Sequence, residues 1–586
     1  MGKLTKKQKK ELKRLKKMGV KTASPLKEKK RNHFTTSIVD ILKENKLILL
    51  GLVLLAFIIY SNSLQNQLTL VDDLQAFKFD ERIKNLPQSL RSLFVQNMFY
   101  AVSYHFFGYS PLPLRIASVV SHMSMTLLVF FISYILLGRK SAIITALIFA
   151  VHPVNTEAVT WISGTPYLQV GLFNLLTFLL YLQYKRRNQS KYIFIALFFY
   201  ILMMIFLRSP WVLVLPIALM VFDQFFIEKK INFSSMWWLA LFAVPISIYL
   251  FTVFSSAFQH RLETRSEGGS RVTMHAQALK PVIEGYPYTT FMMTKLYVFP
   301  KDLTVYYDGT PVTSLLYISM YFVFAVYVFF VFYFWKRNRL VTGILIMLPV
   351  LVAPVYSPLK VTWFISERYM YTGTMFFSML IAIGVENFDS KFKVKYLSTA
   401  FVILLLIAFS VRTFIRNKDW YDTETLSLAN MKTSPYSVRP YNDLGGHYYY
   451  KDDIEKAIEY YEQGLTVVPT SGTAINNLGF IFLEREPLVF WEDYYLESEY
   501  NEDLSKTYFD NAVRMRDSGS DPRTISFFLN KALAHNDQSV DLVIPTADFY
   551  YSLGLTENAI RLYEYGLSID PQNEIILGRL EKATSQ

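Results

Sequence analysis

Two adjacent carboxylates, Asp72 and Asp73, stand in the stretch YSNSLQNQLTLVDDLQAF, directly after the first long apolar run, Lys46 to Tyr60. Nothing about membrane insertion requires a pair of charges there. A carboxylate at the water–lipid boundary can act as general base on an acceptor hydroxyl when it reaches the proton. It can also help hold a divalent cation. Position alone does not separate these roles from two acids in a solvated loop.

Further polar residues gather at the ends of apolar runs: His105, His122, His152, Glu157, Arg208, Arg261, Arg265, Arg271, His275, Lys280, Glu367 and Arg368. An arginine holds phosphate as a bidentate fork and a lysine as a point charge. An acid beside such a site fits transfer from a lipid-linked phosphosugar. A transporter or flippase would carry its ionisable groups near mid-span, whereas these lie at span ends, and that reading ranks last. No HxxH or HxxxH pair occurs and the chain has no cysteine, which argues against histidine-held metal and excludes thiolate sites and disulfides. The one cofactor expectation is a divalent cation, Mg or Mn, on Asp72 or Asp73.

Each motif also has a plainer reading. In HPVNTEAVTW, Pro153 can break a helix and Asn155 or Thr156 can cap the next. SERYMY can be a membrane-edge anchor, with Tyr369 and Tyr371 in an aromatic belt and Arg368 snorkelling. Arg208 in LRSP can be an interfacial anchor, and loop 260–280, with Gly268-Gly269, reads as flexible without a ligand.

The elements that must position these groups are membrane helices. Of 586 residues 52% are hydrophobic and 16% aromatic, and the apolar residues come in long runs. Runs near 46–60, 111–137, 141–160, 167–184, 191–207, 210–227, 237–257, 312–335, 340–358, 366–386 and 397–414 predict about eleven spans. Between the first two, residues 61–110 carry charges and an amphipathic stretch suited to helices lying in the interface. Residues 281–300 read as a re-entrant or interfacial segment rather than another span.

Charge placement gives the orientation. Met1 to Arg31 holds 14 Lys/Arg against Glu11 and Glu28, a tail that fits the cytoplasmic side and anionic lipid better than nucleic acid. Its length and charge, with no small-residue cleavage site, predict a retained anchor. The alternate loops GRK at Gly138, YKRRNQSK at Tyr184, EKK at Glu228, WKRNR at Trp335 and KFKVK at Lys391 are all basic. The intervening loops hold TLVDDL, HPVNTEAVTW, LRSP, HRLETRSEGGSR and YSPLK, which puts Asp72 and Asp73 outside the cytoplasm.

Residues 418–586 reverse the charge balance, with 14 Lys/Arg against 28 Asp/Glu, and show an internal repeat. Leu444-Gly445, Tyr448, Ala457, Tyr461, Gly464 and Pro469 are matched by Ala547, Tyr550, Ala559, Tyr563, Gly566 and Pro571 at tetratricopeptide spacing. NNLGFIF at Asn476 opens another repeat, whose second helix, Asp503 to Arg516, is expected after the insertion PLVFWEDYYLESEY. The expected organisation is a basic tail at 1–45, a membrane domain at 46–417 with outer loops at 61–110 and 258–311, and an extracytoplasmic repeat domain at 418–586.

The order of motifs YSNSL…VDD, SHMSMTLLVFFISYIL, HPVNTEAVTWISGTPYLQVGLF, KLYVFPKDLTVYYD and SERYMYTGTMFF, followed by the repeats, resembles the transmembrane and TPR-repeat protein O-mannosyltransferases. These are C-type (GT-C) membrane glycosyltransferases. HPVNTEAVTWISG is the most specific piece, close to the family's HPVHTEAVAWISGR, and SERYMY is similar to its AERYLY. The resemblance implies an all-α fold: a polytopic GT-C helical bundle followed by an α-solenoid. It implies a polyprenyl-phosphate-linked sugar donor and catalysis by Asp72 or Asp73. Pocket residues at His122, His152, Glu157, Glu367 and Arg368 follow, with Lys295, Tyr306 and Tyr307 in the KLYVFP…VYY segment. The family's Arg-Pro-Leu after the acid loop is replaced by VQNMFYAV, its Lys-Glu by Leu207-Arg208, and the arginine ending HPVHTEAVAWISGR by Thr165.

The chain is therefore expected to be a membrane glycosyltransferase moving a sugar, mannose by the resemblance, to a protein or glycan hydroxyl selected by the repeat domain. Asp72 or Asp73 would activate the hydroxyl, and His105, Arg208, Arg271 and Lys295 would join the donor contacts. Its partners are the lipid donor, the acceptor and membrane lipid, with no nucleic acid. Absent cysteine suits a bacterial plasma membrane. The alternative is a degenerate core that anchors the solenoid as a scaffold for envelope glycans.

Overall fold

The computed structural model describes residues 33–585 except 93, 208–209, 229–230, 254–282, 308–312, 357–364, 393–394, 470, 486–499, 518–521 and 537. The basic tail, Arg208, and the loop 260–280 with Arg271 lie outside the described residues. Among the described residues the elements are helices, without a strand.

Among the described residues each apolar run is helical over most of its length, but not every helix is long enough to span. Ile38–Gln65, Leu112–Leu137, Ile162–Arg187, Ser314–Trp335 and Tyr396–Asp419 are long and apolar enough to cross a membrane. Arg139–Val151 and Pro153–Thr160 form a sixth, bent by 51°. Lys191–Leu207, Trp211–Ile227, Leu239–Ile248 and Arg339–Leu351 are shorter apolar helices. Pro349, two residues before the end of Arg339–Leu351, removes a backbone donor and clashes with the preceding turn. The segment at 281–300 forms helix Gly285–Val298, 14 residues long. At 1.5 Å per residue it covers about 21 Å, short of a bilayer core of about 30 Å.

Burial sorts the helices into centre and rim. Leu112–Leu137 buries Met125, Val129, Phe130 and Ile132 on one face and Arg115, His122 and Thr126 among them. Ser314–Trp335 buries only Met320 and leaves Leu315, Ile318, Phe322 and Phe332 exposed, a surface suited to lipid. Gly171 and Gly373 permit close approach at the centre. A Cβ on Gly171 would stand 2.9 Å from the Tyr371 ring, and one on Gly373 would stand 2.2 Å from Tyr297 Oη.

Among the described residues, contacts gather several basic loops at one end and the first outer loop with the HPVNTEAVTW motif at another. At one end Arg139 donates to Asn45 (2.8 Å), Lys185 pairs with Asp223 and Glu228 (2.8 Å each), Arg339 reaches Gln224 O (2.5 Å), and Lys140 pairs with Asp389. At the other end Asn417 is the hub. It donates to Ile59 O (2.8 Å) and accepts from Thr160 (3.0 Å), and its carbonyl accepts from Asn66 (2.9 Å). The first helix, the HPVNTEAVTW motif and the last long helix thus end together.

The solenoid begins with Thr423–Thr433 and the hairpin Arg439–Tyr449/Ile454–Val467. A Cβ on Gly445 would meet the Tyr461 ring at 2.5 Å, the close approach that the small residues of the repeat provide. One pairing differs from expectation. Glu502–Asp517 does not close a hairpin with Gly472–Arg485; it pairs with Pro522–His535. Ser505 Oγ donates to Ala532 O (2.7 Å) and Asn501 N to His535 O (3.0 Å). Ala512, Ala532 and Leu533 bury between them, a surface no window of the repeat pattern singles out.

Candidate active site

The loop after the first helix is pinned, not solvated. Arg115 is buried, with Nε, Nη1 and Nη2 donating to Asn66 O (2.8 Å), Thr160 O (2.6 Å) and Gln67 O (2.5 Å). A guanidinium offers a planar fork of donors, so one side chain can tie two strands of loop together. Sequence reading missed Arg115; an arginine one turn into a membrane helix, LPLRIA, is the signal that marks it.

This pinning gives the two aspartates different environments. Asp73 is fully buried; its Oδ1 accepts from Ser163 N (2.8 Å) and its Oδ2 from Thr69 N (3.3 Å) and Thr69 Oγ1 (3.1 Å). Burial pushes its carboxyl above the usual range, while the Ser163 and Thr69 hydrogen bonds and the Arg115 charge pull it back. Asp72 is exposed and has φ +66°, a left-handed conformation that non-glycine residues adopt sparingly. The turn Leu70–Asp72 aims it outward, with Asp72 N donating to Leu70 O (2.7 Å) and Ala76 N to Asp72 O (2.8 Å). Such strain persists where surrounding structure over-determines it, commonly at functional sites.

Trp161 connects this loop to the charges behind it. Its indole N–H donates to Val71 O (2.8 Å), its ring stacks on Trp420 (6.1 Å), and the Arg368 guanidinium lies 5.1 Å from its centroid. Tyr369 and Tyr167 flank the same guanidinium at 4.9 and 5.4 Å. Glu157, fully buried, accepts from Arg368 N (2.8 Å), from Ser366 Oγ (3.0 Å) and from Arg368 Nη1. Beyond Trp420 lies Arg416, 1% exposed, which faces Glu367 (3.9 Å) and Asp419 (3.2 Å). Tyr307 Oη donates to Glu367 (2.9 Å). Arg416 Nε and Nη2, Arg368 Nε and Trp420 Nε1 are buried donors with no hydrogen-bond acceptor, and Glu367 Oε2 is a buried acceptor with no donor. Buried polar groups are nearly always satisfied, so these donors keep capacity for further acceptor oxygens. Arg416 also escaped sequence reading, because it sits in RTFIRNKD, where a basic helix end has an ordinary explanation.

The other expected residues fall elsewhere. His122 is core: Tyr371 Oη lies 2.6 Å from Nδ1 and Ala150 O 3.1 Å from Nε2. His152 packs against Tyr297, Phe377 and Phe409, with Tyr297 O 3.1 Å from Nε2. His105 is exposed at the end of Val95–Phe107, and Lys295 pairs with Asp302 (3.3 Å). In HPVNTEAVTW, Pro153 does mark the bend, but Asn155 and Thr156 do not cap. Asn155 donates to Phe149 O (2.8 Å) and accepts from Thr374 (2.9 Å), bridging two helices. Tyr306 lies at the seam with the repeat domain, its hydroxyl donating to Asp443 (2.5 Å). Among the described residues no three of His, Asp and Glu come together as a metal-holding group.

The fold and this geometry define an integral membrane protein of helical type that carries a tetratricopeptide solenoid and a buried cluster of acids, arginines and aromatics. The comparisons agree. A tetratricopeptide repeat family model matches residues 438–470. The chain is 23% identical over 404 residues to the human protein O-mannosyl-transferase TMTC3, an alignment covering 63% of this chain and 44% of that protein. Mouse TMTC3 matches at 24% over 410 residues, covering 63% and 43%. Human TMTC1 matches at 22% over 417, covering 64% and 47%. The chain spans less than half the length of these relatives. It is a distant relative of the transmembrane and TPR-repeat protein O-mannosyltransferases, as the motif order implied.

Proposed function

We propose that the chain is a membrane glycosyltransferase of the O-mannosylation type. It moves a sugar, mannose by analogy with its relatives' names, from a polyprenyl-phosphate donor to a protein hydroxyl. The observation that carries this is the contrast within one loop: a buried, hydrogen-bonded Asp73 beside an exposed Asp72 in a left-handed turn, with Val71 between them and the Trp161–Arg368 stack. Asp72 takes the proton of the acceptor hydroxyl as its oxygen bonds to the anomeric carbon. The bond from that carbon to the phosphate oxygen breaks, and polyprenyl phosphate leaves with the electron pair. Arg416 and Arg368 hold the phosphate oxygens, and Glu157 keeps Arg368 in place. Donors fixed before the reaction stabilise developing charge without reorganising. A divalent cation, Mg or Mn, would be held at Asp72, the exposed member of the pair. The acceptor end faces away from the cytoplasm because the basic loops occupy the other end, in a bacterial plasma membrane by the lack of cysteine.

The test is transfer of labelled mannose from a polyprenyl-phosphate donor to a serine/threonine peptide by the purified full chain. Loss of a general base costs about 10²–10⁴ in rate. Asp72→Asn should fall by that amount with an unchanged melting profile, and Asp73→Asn should lose far less. Wild-type transfer by Asp72→Asn would sink the assignment. Failure to bind the donor, together with a stable protein partner, would instead favour the scaffold.

A further inference from the structure

Asp72 is held from both sides by one short turn, Trp161 to Gly164. Trp161 Nε1 donates to Val71 O and Ser163 N to Asp73 Oδ1, each at 2.8 Å. Both chain neighbours of Asp72 are thus tied to a segment 90 residues further along. The turn is itself closed: Trp161 N donates to Glu157 O and Gly164 N to Trp161 O (3.1 Å each). A Cβ on Gly164 would stand 3.0 Å from Trp161 Cε3 and 3.2 Å from Glu157 O, so the glycine leaves the indole its place.

The face of the same indole meets a second charge of the site. The Arg368 guanidinium carbon lies 5.1 Å from the ring centroid, inside the range of about 6 Å over which a cation is drawn to an aromatic face. Glu157 accepts from Arg368 N (2.8 Å) and from its Nη1, so a carboxylate and aromatic rings fix the guanidinium together. Packing alone asks for less than this. Trp161 is buried in a small cluster with Val305, Tyr306, Trp420 and Leu426. A leucine or phenylalanine would also fill apolar volume there. Only an indole supplies an N–H at its edge to Val71 and a broad π face to Arg368 at once. Trp420, stacked on it, sits in the same cluster with its own N–H unmatched, so burial here does not by itself dictate the Val71 bond.

We propose that Trp161 is a positioning residue for both halves of the reaction: its N–H fixes the turn that carries Asp72, and its ring face fixes the Arg368 guanidinium. This inference rests on the glycosyl-transfer reading above. One rigid side chain then sets the register between carboxylate and guanidinium. The two roles are separable, because the edge of the ring serves one and the face serves the other.

The experiment uses the purified full chain, polyprenyl-phosphate mannose and a threonine peptide. Trp161→Phe keeps a ring face and loses the N–H, and Trp161→Leu loses both. Benzothienylalanine placed at position 161 keeps the bicyclic shape and exchanges the N–H for sulfur, which guards the result against a packing defect. Misplacing a reacting group by about 1 Å costs up to about 10²-fold, so Trp161→Phe and the benzothiophene variant should each lower kcat about ten- to a hundredfold. Both should leave the donor KM unchanged. Trp161→Leu should lower kcat as far and also raise the donor KM about fivefold, through the lost cation–π contact. Equilibrium binding of a fluorescent polyprenyl phosphate, which needs no turnover, should weaken in Trp161→Leu alone. Wild-type kcat in the benzothiophene variant, with Asp72→Asn inactive, overturns this inference alone. So does donor binding that falls equally in all three variants, or a lowered melting temperature with both kinetic constants unchanged, since Trp161 would then serve packing only. Transfer undiminished in Asp72→Asn overturns the reading beneath it.

Discussion

Asp443 and Glu462 occupy the two helices of one hairpin, and their surroundings treat them in opposite ways. Glu462 loses solvation too, but Tyr508 Oη (2.7 Å), Lys531 Nζ (3.2 Å) and His535 Nε2 (3.9 Å) surround it and hold its carboxyl down at about 2. Asp443 has Tyr306 and the field of Arg439, and burial with the help of Asp72 pushes it up to about 6. Inside the solenoid a buried charge is matched, so it fastens one repeat to the next. At the seam a charge is kept where matching is incomplete. Incomplete matching is what binding sites require, since a saturated carboxylate such as Asp73 has little left to offer a ligand.

The comparison can be broken most sharply at a fully matched carboxylate. Arg368→Met leaves Glu157 buried and uncompensated, and removing one partner of a buried pair costs about 3–5 kcal/mol. The expected result is a large fall in the melting temperature of the purified protein. The double variant Glu157→Gln/Arg368→Met should recover part of it, since no bare charge remains. Lys531→Met comes next. Glu462 keeps Tyr508 and His535, so the loss should be about 1–3 kcal/mol, read by denaturant unfolding.

The same pair predicts pH responses of opposite sign. Glu462 has a folded-state value below its ordinary 4.5, so its contribution is present above that pH and lost as pH falls toward 2. Asp443 has a folded-state value of about 6, above its ordinary 3.8. Its contribution is full below 3.8 and lost as pH rises through 6. Melting curves should therefore show Asp443→Asn flattening the fall between pH 4 and 7, and Glu462→Gln flattening the fall on the acid side. If both variants flatten the same limb, the contrast between seam and solenoid is wrong.

Much of this architecture was legible in the chain, and the exceptions have physical reasons. Apolar runs mark helices because lipid and protein core both reward them, so among the described residues each run is helical over most of its length. Whether a run spans depends on where prolines and packing end it, which hydropathy does not encode: Arg339–Leu351 stops short, with Pro349 near its end. The basic loops at Gly138, Tyr184 and Trp335 come together at one end through their contacts with Asn45, Asp223, Gln224 and Asp389. Asp72, Glu157, Glu367 and Arg368 stood out because charge beside an apolar run is conspicuous, whereas Tyr306 came from the resemblance alone. His122 and His152 were equally conspicuous but serve as hydrogen-bonded core, filling space between Tyr371, Phe377 and Phe409. Arg115, Arg416 and Asp443 were hidden because their significance depends on contacts far along the chain. Asp72 and Asp73 could not be told apart in sequence, since the difference lies in the turn that buries one and turns the other outward.

The smallest expected effect lies at the end opposite the site. Lys140 pairs with Asp389, but its side chain is 53% exposed, and water and ions screen it. Removing Lys140 leaves Asp389 with the Ser398 hydroxyl. Exposed pairs contribute between about 0 and 1 kcal/mol. Lys140→Ala should therefore shift unfolding by less than Lys531→Met, and added salt should remove most of what shift there is. A larger effect for Lys140→Ala than for Lys531→Met would mean that burial does not set the worth of these pairs, and the contrast drawn above would fail with it. The small effect has a reason of its own. The charge of the loop at Gly138 matters during insertion, when it decides which side of the membrane the loop stays on. Once the helices are placed, the half-exposed Lys140 divides its charge between Asp389 and water.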